Sequence, residues 1–338
     1  MSSRLREPSV QEFPHTYPVQ EQLRFLIRYA TLAPSTRNTQ PWRFRVDRDR
    51  IEIRPDLTRW HRVADRDCRE LYLSLGCAIE NLIVAAEQFG FRHTVVYQPD
   101  WRDEEVAAVL AFRPGGHGSP ERRGLTLSTL LSRRSAHGRF LERELSTADM
   151  DALRLCLTDD RDLELSLATE PECRRAVQGL HRLAHEIAFA NPAYRGELAD
   201  WVEGGAFGTP WPLSKLGRAA IASGGMARRL ARLDAIAVGS APLLILISSR
   251  VEDRPSQIRS GQLLERLWLT STARGLGFQP LSAALEVRSL RAGISGVMGA
   301  RFPWAQQLVR IGHPRHSPGH RTPRRPLDEV IDAPEAAP

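Results

Sequence analysis

The chain has 338 residues, 42% of them apolar and 26% charged, a composition that describes a packed globular protein with one large or two ordinary domains and excludes a disordered or fibrous one. Lysine and arginine outnumber aspartate and glutamate 47 to 40, but Lys215 is the single lysine and the arginines are interleaved with acids throughout. That spread argues against the concentrated basic patch of a nucleic-acid binder and favours a small anionic ligand.

Met1 to Pro18 lacks the apolar centre of a secretory signal, and the longest apolar stretch, Ala235 to Ser249, is short and interrupted by Gly239 and Pro242. A cytoplasmic protein without a membrane span is expected. Cys68, Cys77, Cys156 and Cys173 show neither a C-x-x-C pair nor zinc-ligand spacing, so no disulfide framework and no metal site is expected.

Residues 1–18 read as an N-terminal extension. Leu23, Leu26, Ile27 and Tyr29 recur at helical spacing, which predicts a helix over 21–32 that stops before Pro34. Alternation over 42–46 and 50–54 predicts a hairpin, and an irregular charged run to Arg69 precedes a helix over 71–89, closed by Gly90. Strands are predicted at 94–97 and 106–112. The Gly- and Pro-rich run 113–123 then reads as a linker between a first half, 19–123, and a second half, 124–338.

The second half opens with predicted helices over 125–133 and 147–157 and a strand over 163–167. One stretch echoes the first half. Aligned without a gap, Gly76 to Gly90 matches Gly261 to Gly275 at Gly76/Gly261, Glu80/Glu265, Leu82/Leu267 and Gly90/Gly275, which favours an internal duplication. Residues 186–232 have no counterpart in the first half. They read as amphipathic helices around a looser centre, Trp201 to Trp211, and serve either as a lid over a pocket or as an ordinary packed insertion.

Two motifs carry the chemistry. In Ala33 to Trp42, Pro34 ends a helix, Ser35, Thr36 and Asn38 offer short hydrogen-bonding groups, and Gln40-Pro41-Trp42 leads into a strand. By residue type alone this is either a helix-to-strand turn or a grip on a polar ring edge. In Arg133-Arg134-Ser135, two guanidinium groups and a hydroxyl are the groups that would cradle a phosphate, or else a solvated helix end. The histidines His15, His61, His93, His117, His137 and His181 form no evident triad, and no GxGxxG follows a strand.

The stretch A-P-S-x-x-N-x-Q-P-W-R-F, Ala33 through Phe44, resembles the signature of the FMN-dependent nitroreductase family. Ordinary members are homodimers whose two FMN sites each draw an R-R-S phosphate motif from one subunit and a P-S-x-x-N turn from the other. Here each half keeps one motif and lacks the other, since the matching stretch Leu155 to Asp162 has no such turn. With Asp65 to Leu71, Ser74 to Ala78 and Arg195 to Trp201, the chain resembles over roughly residues 20–331 the long, duplicated subgroup related to mycobacterial Acg.

That resemblance implies an α+β nitroreductase-like fold, with mixed or antiparallel sheets flanked by helices and the halves forming an internal pseudo-dimer around one FMN. Further dimerisation is left open. It assigns cofactor contacts to Pro34, Ser35, Thr36, Asn38 and Gln40, to Arg133, Arg134 and Ser135, to Pro280, Leu281, Ser282 and Ala283 beside the ring, and to Arg324 with Arg325 as second choice at the phosphate. No catalytic side chain is required, because the flavin carries the chemistry. The implied activity is NADH- or NADPH-dependent reduction of a small nitro, quinone or related electron-poor acceptor. The alternative is an FMN-binding or flavin-sequestering protein whose lid blocks turnover.

Overall fold

The alternating pattern after Pro41 folds into a tight hairpin. Strands β1 (Trp42–Asp47) and β2 (Arg50–Pro55) pair antiparallel and bury Trp42, Phe44, Val46, Ile51 and Ile53. The structure, a computed structural model, describes all residues except 1–6, 101, 103–104, 117, 158–159, 205, 207–210, 223–235, 317–318, 320 and 334–338. Strands β3 (Phe91–Tyr97) and β4 (Ala108–Pro114) complete an antiparallel sheet in the order β1-β2-β4-β3. The second half supplies β5 (Leu163–Ala168), β6 (Leu243–Ser249), β7 (Gly277–Pro280) and β8 (Trp304–Gly312) in the order β5-β6-β8-β7, again antiparallel. Each sheet joins its first strand to its second, its second to its fourth and its fourth to its third. The chain is therefore α+β with two related halves.

Between the sheets run two helices, Arg69–Gln88 and Arg254–Ala273, which pack along each other. The first is buried almost throughout, so its apolar residues do not keep to one stripe. The echoing glycines mark the contact. A Cβ added at Gly76 would lie 2.0 Å from the Ile258 carbonyl oxygen, and one at Gly261 would lie 2.1 Å from the Leu73 oxygen. Each glycine thus meets the carbonyl three residues before its counterpart, as expected across an approximate twofold axis. Both helices end at a glycine with positive φ, Gly90 at 80° and Gly275 at 71°.

Element types follow the sequence closely, with shifts at the ends. The predicted 21–32 helix is Val19–Ala30, the 125–133 helix is Leu127–Ser132 and the 147–157 helix is Thr147–Arg154. The insertion is wider than 186–232. It takes the place of the two-residue β1–β2 turn and occupies the whole connection from β5 to β6, with helices Pro171–Ala190, Pro192–Glu203 and Trp211–Ala222. Part of its expected looser centre, 205 and 207–210, and residues 223–232 lie outside the described residues.

The C-terminal tail crosses back to the first half. Ile331 bridges Phe44 of β1, and Arg43 pairs with Asp332. This return places residues 321–325 beside the Ala33 to Trp42 turn. No helix among the described residues is long and apolar enough to cross a membrane.

Candidate functional site

A cleft of about 650 Å³ lies between the halves, a size suited to one small molecule or cofactor. Pro34, Ser35 and Thr36 line it from the first half; Ser135, Pro280, Leu281, Ser282 and Ala283 line it from the second. The structure thus brings together eight of the fourteen residues expected to contact a cofactor. Asn38, Gln40, Arg133, Arg134, Arg324 and Arg325 stand behind this lining.

The first-half turn is conformationally demanding. Arg37, Asn38 and Gln40 all have positive φ, at 50°, 58° and 52°, a region that costs a non-glycine residue energy. Hydrogen bonds hold it. Ser35 Oγ accepts from the Gln40 amide at 2.9 Å, and the Asn38 side chain donates to the Pro323 carbonyl at 3.0 Å while accepting from Arg324 at 3.0 Å. Gln40 accepts from the Arg325 amide at 2.8 Å, and Arg325 itself pairs with Asp56 at 3.1 Å. Asn38, Gln40 and Arg325 therefore fasten the tail to the turn, and the fastened tail presents Arg324.

Arg133, Arg134, Arg321 and Arg324 gather behind Ser135 and the turn. Arg133 lies over the Trp268 ring, 4.4 Å from its centroid, while Trp268 donates to the Arg134 carbonyl at 3.2 Å. Arg324 donates to the carbonyls of Leu32 and Ala33 at 3.0 and 3.2 Å, and Arg321 to those of Leu130 and Leu131. Burial and the neighbouring Arg133 and Arg321 push Arg324 well below its ordinary range; burial and Arg134 push Arg321 down to about 10. Their Nε groups are buried without a hydrogen-bond partner among the described residues. Such a cluster is built to receive an anion. Arg321 was not singled out from sequence, because nothing local distinguishes it in an arginine-rich tail.

Two carboxylates face this cluster: Glu265, 3.3 Å from Arg133 Nε, and Glu7, 3.4 Å from Arg321 Nη1. Burial outweighs the attraction of Arg133 and raises Glu265 to about 8. Its echo, Glu80, behaves oppositely: Arg122 and Arg266, both at 2.8 Å, overcome burial and hold it at about 2. The register pairs Arg266 with Asn81, whose amide, in the orientation its neighbours require, donates to Glu265 at 2.9 Å and accepts from the Ala33 amide at 3.0 Å. Around Glu80 a smaller cavity of about 240 Å³ is lined by Ile83, Arg259, Gln262 and Arg266. Ile83, Arg259 and Gln262 occupy the register positions of Trp268, Ser74 and Cys77, which line the cleft, so the small cavity is its twofold counterpart, narrowed by the pairs that Arg122 and Arg266 make with Glu80 and Arg259 with Asp160.

At the cleft floor Glu70 is 2% exposed and accepts from Thr36 Oγ1 at 2.7 Å and Ser282 Oγ at 3.1 Å, joining the first-half turn to the second-half loop. Glu70 was not singled out from sequence; it fell just before the predicted 71–89 helix, which in the structure begins at Arg69. The insertion supplies another wall through His181, His185, Phe189 and Tyr194. It is latched to the first half: Arg37 donates to Tyr194 Oη at 2.7 Å and pairs with Glu286 at 3.2 Å, and Glu197 accepts from the amides of Val63 and Ala64 at 3.0 and 3.1 Å. His61 lies 3.5 Å from Glu197, and burial lowers its pKa. His137 and His181 line the cleft, whereas His117 lies outside the described residues.

No protein-family model matches the chain. Two Mycobacterium tuberculosis proteins do, at 27% identity and over 94% of this chain: "Putative NAD(P)H nitroreductase Rv3131", of which 93% is covered, and "Putative NAD(P)H nitroreductase acg", of which 97% is covered. Among solved structures, the FMN and NADPH-dependent nitroreductase NfnB from sphigopyxis sp. strain HMH aligns with 62% of this chain and 98% of its own at 20% identity and a TM-score of 0.43. That superposition is partial, and the kinship rests on the full-length sequence similarity. Over nearly its whole length the chain resembles the long nitroreductase-like proteins that include Acg.

Proposed function

We propose that the cleft binds FMN and that the protein is an NAD(P)H-dependent oxidoreductase acting on small electron-poor acceptors such as nitroarenes or quinones. The observation that carries this reading is the arginine cluster behind Ser135, in which four guanidinium groups face two carboxylates, Glu265 and Glu7, and the buried Nε groups of Arg321 and Arg324 have no hydrogen-bond partner among the described residues. A phosphate dianion supplies the missing counter-charge. Arg133, Arg134, Arg321 and Arg324 would hold it, with Ser135 adding a hydroxyl. The ring would lie toward Pro34, Ser35 and Thr36 on one side and Pro280 to Ala283 on the other. Bound FMN would supply two-electron transfer; the residues around it orient the ring and limit water. Its smaller twofold counterpart is lined by Arg266, which takes the register position of Asn81 and pairs with Glu80, and this obstruction supports one FMN per chain.

A second reading, a flavin-sequestering protein with little turnover, is favoured by the latch. Arg37, Tyr194, Glu286 and Glu197 hold the insertion against the cleft, which would deny a nicotinamide its stacking position. A visible spectrum of the purified protein before and after anaerobic NADPH separates the readings. Yellow protein that bleaches and turns over a quinone supports the enzyme, yellow protein that stays oxidised supports sequestration, and colourless protein that takes up no added FMN overturns both.

A further inference from the structure

The floor of the cleft contains a chain of hydrogen bonds whose direction is fixed from one end. The Leu308 amide donates to Gln307 Oε1 at 3.0 Å, which turns the Gln307 Nε2 group toward Ser282 Oγ at 3.2 Å. Ser282 Oγ, already accepting, sends its own proton to Glu70 Oε2 at 3.1 Å. Thr36 Oγ1 sends its proton to the same oxygen at 2.7 Å. The other Glu70 oxygen faces Arg69 Nη2 at 2.8 Å, and both residues are buried. A carboxylate so paired only accepts, so both hydroxyl protons are committed to it.

We propose that Glu70 sets the hydrogen-bonding sense of the cleft floor, so that Thr36 Oγ1 and Ser282 Oγ meet the ligand as acceptors and select a ring edge that carries N–H. This rests on the FMN reading above. The isoalloxazine offers such an edge in two ways: its N3–H is present in both the oxidised and the reduced ring, and further ring N–H groups exist only after reduction and protonation. Glu70 is on this account a positioning residue, acting through two hydroxyls from different halves of the chain. A glutamine in its place donates as well as accepts, which frees a hydroxyl proton to point inward and reverses the preference.

The experiment measures affinities of the full chain for FMN, for 3-methyl-FMN and for FMN before and after reduction with dithionite, in the wild type and in Glu70→Gln. If N3–H is read, the wild type disfavours the methylated cofactor by about tenfold or more and Glu70→Gln narrows that ratio. If the added N–H groups are read, the wild type binds reduced FMN more tightly than oxidised, and Glu70→Gln lowers the midpoint potential of the bound cofactor. Thr36→Val and Ser282→Ala, each removing one acceptor, shift the same ratio if Glu70→Gln does not fold. Tight FMN binding with both ratios unmoved in every variant overturns the inference, whereas a wild type that binds no FMN overturns the reading on which it rests.

Discussion

Gly76 and Gly261 face each other across the internal twofold axis at a separation that excludes any side chain, each against a backbone carbonyl of the opposite helix. Replacing either by alanine would gain a little helix propensity. The clash outweighs it, because backbone oxygens cannot rotate away. Gly76→Ala and Gly261→Ala each cost about 3 kcal/mol, and urea unfolding of the purified variants checks the value. Alanine at Gly179, where a Cβ would meet nothing within 4 Å, is the control and leaves the midpoint within error or slightly raised.

The arginine cluster separates stability from binding. Arg324→Ala relieves the repulsion among neighbouring cations but forfeits its bonds to Asn38, Leu32 and Ala33, so the two effects oppose each other in the FMN-free protein, while FMN affinity falls about tenfold to a hundredfold through the lost charge-assisted bonds. Thermal unfolding with and without FMN measures both effects in one titration. Equal loss of stability in the two conditions would assign Arg324 a structural role only.

Glu265 and Glu80 give opposite pH signatures. The folded pKa of Glu265, about 8, lies above its ordinary value, so its contribution is fully present below about pH 4.5 and is lost as pH rises toward 8. Glu80, at about 2 in the fold, contributes stability present above about pH 4.5 and lost as pH falls toward 2. Accordingly Glu265→Gln flattens the decline in stability of FMN-free protein between pH 5 and 8, and Glu80→Gln destabilises at neutral pH by about 3 kcal/mol, having left Arg122 and Arg266 short of a partner. Denaturant midpoints across that pH range test both.

The latch predicts a kinetic phenotype. Glu197→Ala frees the Val63 and Ala64 amides and His61, and Arg37→Ala does the same for Tyr194 and Glu286. Each variant releases FMN about tenfold faster, consistent with loss of roughly 1.4 kcal/mol of closure. Stopped-flow fluorescence on dilution of loaded protein reports the rate. An unchanged rate would mean that the insertion does not cover the cofactor.

Much of this architecture was legible because it obeys simple periods. The β1–β2 alternation and the 3.6-residue repeat of the Val19–Ala30 helix both survive in the fold, and the Gly76/Gly261 echo located the helix pair that organises the two halves. The Pro34 turn and Ser135 line the cleft, but their residue types alone read equally as an ordinary turn and a helix end, and the family resemblance is what singled them out. Arg321 and Glu70 were not singled out: one reaches its place through a tail that crosses between halves, the other through burial at the start of a helix that was predicted to begin just after it. The wider extent of the insertion escaped because the helix over 171–190 has an ordinary amphipathic pattern, and only strand pairing shows that it interrupts a hairpin.

The pairing of Asn81 with Arg266 across the twofold has a consequence for how such a protein changes over time. In a homodimer one codon writes the same residue into both sites, so a substitution that blocks one blocks the other. Joining the halves in one chain removes that bond. One site can then be sacrificed to ion pairs that brace the scaffold while the other continues to be shaped for its ligand, and each later substitution is tested in one place only.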